Sequence, residues 1–142
     1  MIDLGYWLSF VAGLFLLVAS AVGLRTFVPR FFKAKEDYSK TLALAIIMGF
    51  LWTALNTLYW QVFGQVGVAL GWLTVTELRL YGSFLDVLFK GLPGVAVLLH
   101  NQAAVKSLPK SEQSKWNFLT IALYPNVDHL FVKLWRTLKF RS

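Results

Sequence analysis

Charge is absent from Leu4 to Leu24 and again from Thr41 to Thr76. About 20 apolar residues, rising 1.5 Å each, cross a hydrocarbon core about 30 Å thick. The first run therefore predicts a membrane span over 4–24, with Tyr6 and Trp7 at an interface that favours aromatic rings. The second run is too short for two spans and a turn. It predicts a span over 41–63 and then an interfacial stretch over 64–78, broken by Gly64, Gly67 and Gly71 and anchored by Trp72. A less uniform run over 79–100, holding Asp86 and Lys90, predicts the third span. Between the first two spans lies a polar loop over 25–40, where Pro29 predicts an end to any helix continuing from span one.

After His100 the pattern changes. A polar linker over 101–115 leads to an apolar stretch, 116–124, too short to span. Pro125 stops it, and Asn126 is a suitable N-cap for a helix over 126–140. Val127, Leu130, Phe131, Leu134, Trp135 and Leu138 recur at steps of three and four, which makes one helical stripe. Lys133, Arg136, Lys139 and Arg141 lie off it. Such a helix is expected on an anionic membrane surface, with Phe131 and Trp135 toward acyl chains and the cations toward phosphates. Docking on a protein partner is the rival reading. No strand alternation occurs, and backbone in lipid must satisfy itself. The expected fold is all-α: an integral membrane, three-span helical bundle over 1–105, with a C-terminal interfacial amphipathic helix in a basic tail over 106–142.

Composition agrees. Of 142 residues, 57% are hydrophobic and 15% charged, against about 25% charged in soluble domains. Disorder is excluded, since it requires low hydrophobicity. Lys and Arg number 14 and Asp and Glu 7, a net charge of +7. The cations fall in two blocks, 25–40 and 106–141, each beside an apolar run. Cytoplasmic loops retain Lys and Arg. The expected threading in a bacterial cytoplasmic membrane has the N-terminus outside, 25–40 inside, 64–78 outside and the tail inside. Ala19-Ser20-Ala21 resembles a cleavage box, but the preceding run is too long for a signal and Arg25 follows it, so an uncleaved span is expected. Nucleic-acid binding is not expected, because no basic face with interleaved aromatics sits on a soluble fold.

Candidate chemistry is sparse. The chain has no cysteine, and His100 and His129 lack metal-ligand spacing. No nucleophile, phosphate or dinucleotide motif is present, so no enzyme, metal or cofactor is expected. Asp86 and Lys90, four residues apart, can pair along a helix. Each charge at a span's centre costs about 2.5–3.5 kcal/mol on insertion scales. They are either a pore-lining or proton-relay pair or a structural ion pair. Beside them Gly91, Pro93 and Gly94 predict a helix break, which serves an ion site in some transporters and is elsewhere a plain kink. Ser9 and Gly13 on span one, and Ala45, Gly49, Thr53 and Thr57 on span two, allow close helix packing, within the bundle or between copies, with polar Asn56 beside them.

Three functions are compatible. The first is a holin-like pore-forming, membrane-permeabilising protein acting by self-association, with Asp86, Lys90 and Asn56 turned to a lumen. The second is a non-catalytic accessory subunit of a larger membrane complex. The third is a small proton or ion transporter that works as an oligomer. The expected partners are the lipid bilayer, its anionic headgroups, and further copies or other membrane subunits.

Overall fold

A computed structural model describes residues 4–139, with side chains through Thr137. The described residues are mostly helical and contain no strand. Helix α1 spans Leu4–Lys33 and α2 spans Asp37–Thr57. A π-helical segment, Leu58–Phe63, continues α2 directly into α3, Gly64–Ala69. Helix α4 spans Val75–Lys106, α5 is the single turn Lys110–Gln113, and α6 spans Val127–Lys139. A 3₁₀ turn, Ile121–Leu123, precedes α6. Three helical stretches, Leu4–Lys33, Asp37–Ala69 and Val75–Lys106, are long and apolar enough to cross a membrane. This is an all-α chain with the helices of a membrane protein.

Each stretch outruns its predicted span. Thirty residues of α1 measure about 45 Å, well beyond a core of about 30 Å. Pro29 does not end α1, which runs on to Lys33. Proline removes one donor, the one facing the Arg25 carbonyl, and the helix carries that single loss. Residues 64–69 are helical and continue the second stretch, and 75–78 already belong to α4. The intervening turn is closed by two local devices. Gly71, at φ 71°, takes the left-handed position. The Trp72 N–H donates to the Gly67 carbonyl at 2.9 Å and the Gly71 N–H to Val68 at 3.1 Å, the bonds of a Schellman motif. Thr74 and Glu77 then form a capping box that starts α4: the Thr74 N–H donates to Glu77 Oε2 at 2.8 Å, and the Glu77 N–H to Thr74 Oγ1 at 3.2 Å.

The described residues divide into two compact units, and each of the three long stretches contributes to both. One unit gathers the chain through Arg25 with Gly49–Pro93. The other gathers Thr26–Met48 with the chain from Gly94 onward. The core of the second unit joins Leu42 of α2 and Ala103, Ala104 and Val105 of α4 to Leu108, Ile121, Leu130 and Leu134. The basic tail is thus built into this unit by its apolar side chains. Lys106 at the end of α4 bonds Asp37 at the start of α2 at 2.8 Å and donates to Thr41 Oγ1 at 3.1 Å. Both charges suit their helix dipoles.

Candidate functional site

Within the first unit α4 has two contrasting faces. Gly82 lies against the Trp60 ring, and Phe89, two turns on, is buried with its ring 5.7 Å from Tyr59. The opposite face carries Phe84, Val87 and Gly91 at steps of three and four. Val87 is 82% exposed, and a Cβ added at Gly91 would meet nothing within 4 Å. Beside this face Lys90 Nζ bonds Asp86 Oδ2 at 2.7 Å, with the Lys90 side chain 80% exposed and that of Asp86 40%. The two charges pair as the sequence spacing predicts, at the edge of a surface that the chain leaves largely uncovered. In a bilayer that surface meets lipid or another molecule. Pairing neutralises the net charge, yet a strong dipole still faces hydrocarbon and favours a polar partner.

No helix break accompanies the pair. α4 passes through Gly91, Pro93 and Gly94, because proline removes only the donor to the Phe89 carbonyl and membrane helices tolerate that loss. Asn56 stands elsewhere, half-buried on α2. Its neighbours Leu55 and Leu58 line an apolar groove of about 330 Å3 with Tyr59, Phe63, Leu85, Leu88 and Phe89. Asp86, Lys90 and Asn56 are not among its lining residues.

The small residues divide by position. Ser9 and Gly13 of α1 face two glutamines absent from the sequence-based expectation. Gln65 Nε2 donates to Ser9 Oγ at 2.9 Å, and the Tyr6 hydroxyl donates to the Gln65 carbonyl at 3.3 Å. A Cβ added at Gly13 would lie 2.5 Å from Gln61 Oε1 and 2.9 Å from Gln61 Cβ. The two Oε1 atoms are buried and have no hydrogen-bond partner. Gln61 lies in the π segment, a geometry frequent at functional sites. A pairing signal exists in the sequence: Ser9 and Gly13 are four apart, as are Gln61 and Gln65, and antiparallel helices bring such pairs rung to rung. On α2, Ala45 and Thr57 are buried. Gly49 is open, and the Thr53 hydroxyl donates to the Gly49 carbonyl at 3.0 Å within its own helix.

In the second unit Phe131 stacks on His100, with centroids 4.9 Å apart and 19° between planes. Leu130 and Leu134 enter the core, whereas Trp135 is 62% exposed. Lys133 and Arg136 are exposed. The Lys139 side chain and Arg141 lie outside the described residues. Among the described residues no three His, Asp or Glu side chains converge as metal ligands. No protein-family model, no curated protein and no solved structure matches this chain.

Proposed function

We propose that the chain is a self-associating protein of a bacterial cytoplasmic membrane that permeabilises the bilayer in the manner of holins. Its contact surface is the outward face of α4. One observation carries the reading: the Asp86–Lys90 pair stands at the edge of that face, with the Lys90 side chain exposed and Asp86 half-buried, next to a glycine with empty space above it. Small residues let backbones approach, and polar groups between spans contribute about 0.6–2 kcal/mol each. A second copy brings the same two charges, and an axial offset of about one helical turn would set Lys90 of one copy against Asp86 of the next. Any lumen lies between copies, with Asp86 and Lys90 beside it. The cation-rich segments stand in the cytoplasm against anionic headgroups.

The absence of cysteine makes the test direct. Val87→Cys, oxidised in native membranes, should yield a disulfide-linked dimer. Val11→Cys, exposed on α1, should not. Inducible expression with a potential-sensitive dye should show abrupt depolarisation, abolished by Gly91→Ile. Sustained potential and normal growth at high membrane-inserted expression would remove the pore reading. If Val87→Cys then failed to cross-link and gentle extraction recovered stoichiometric foreign subunits, α4 would be the docking face of an accessory subunit.

A further inference from the structure

The segment 117–123 exposes apolar side chains while most of its backbone N–H groups are bonded within the chain. Leu119 is 69% exposed, Leu123 78% and Phe118 39%. Asn117 Oδ1 accepts from the N–H groups of Leu119 and Thr120, both at 2.9 Å, and the Asn117 N–H donates to Thr120 Oγ1 at 3.0 Å. The N–H groups of Ile121, Leu123 and Tyr124 donate to Asn117, Thr120 and Ile121. Asn101 Nδ2 donates to the Phe118 carbonyl at 3.0 Å. Bonding most of these donors internally lowers the cost of placing the turn beside acyl chains, where water cannot satisfy a backbone. Phe118 shares an apolar groove with Val95, Leu98 and Leu99 of α4, on a helix long and apolar enough to span. The exposed turn is therefore continuous with the lipid-facing surface of a span. Trp116 and Tyr124 flank it, in edge-to-face contact at 5.5 Å, and pack against the core, which fixes the turn to the second unit.

We infer that the turn 117–123 is a wedge that enters the acyl boundary of the leaflet beside α4, with Leu119 and Leu123 in contact with lipid. It gives the tail a membrane contact distinct from α6, whose Leu130 and Leu134 are occupied by the protein's own core. The inference rests on the membrane reading and not on self-association.

Single cysteines at Leu119, Leu123, Val97 and Ser114 in the full chain would carry an environment-sensitive fluorophore in phosphatidylcholine–phosphatidylglycerol vesicles. Val97, 59% exposed on α4, reports lipid, and exposed Ser114 reports water. Labels at Leu119 and Leu123 should be quenched by lipids brominated near the headgroup end of the chain. Aqueous iodide should quench them several-fold less than the Ser114 label. Iodide quenching equal to that at Ser114, with Val97 still quenched by lipid, would overturn the wedge alone. Shielding from both quenchers would assign the turn to a protein contact and also overturn it. Failure of lipid to quench Val97 would take the membrane reading down as well.

Discussion

At the residue scale, the same amino acid does opposite things on two helices. Gly13 is pressed by Gln61, including its Cβ at 2.9 Å from the added carbon, which rotation of the side chain cannot relieve. Gly13→Ala should destabilise the folded chain by about 1–3 kcal/mol, as overpacking does. Gly91 has open space, so Gly91→Ala should leave the monomer as stable or raise it by about 0.5–1 kcal/mol through helix propensity. Unfolding titrations in detergent would measure both. Asp86→Asn leaves Lys90 charged and unpaired, and should lower membrane-inserted yield. Asp86→Leu with Lys90→Leu should restore insertion while losing the Val87→Cys cross-link, since removing both partners of a pair costs less than removing one. Equal insertion of the single and double variants would show that the pair is solvated. The spacing of Asp86 and Lys90 made their bond legible in advance. Which glycine is crowded was not legible, because crowding is a property of the opposing helix.

At the element scale, periodicity located the stripe of α6 but could not name its occupant. The stripe reads identically whether it lies on lipid or on protein. The structure divides it: Leu134 is 1% exposed in the core and Trp135 is 62% exposed. Leu134→Ala should therefore cost about 2–5 kcal/mol and Trp135→Ala about 0.5 kcal/mol or less, measured by thermal unfolding. Comparable effects would mean that the stripe acts as one surface. Proline misled at 29, where an end to the helix was expected, whereas at 93 a helix passing through the proline was one of the two readings. Its local penalty is fixed, but the ladder on either side of Pro29 and Pro93 outweighs a single lost donor. Glycine misled at 64 and 67, which are buried helical positions; only Gly71 needed its freedom of φ.

At the scale of the whole molecule, the uncharged runs marked the three long helices, because length and hydrophobicity are additive along a chain. Assembly of the tail with 26–48 was hidden, since it depends on Leu42 and Ile121 sharing one core across nearly 80 positions of sequence. The proposed threading makes a direct demand on topology. Reporters inserted after Lys35 and fused after Ser142 should report the same side of the membrane, and one inserted at Gly71 the other.

A π turn amounts to one residue inserted into an α-helix. Excising a residue from Leu58–Phe63 would let the backbone relax to ordinary geometry while rotating everything beyond it by about 100°. Gln65 would swing off Ser9, and α4 would leave the hairpin in a new direction. The locally smoother polypeptide would be the one that misassembles. The irregularity thus sets the phase on which both flanking helices depend.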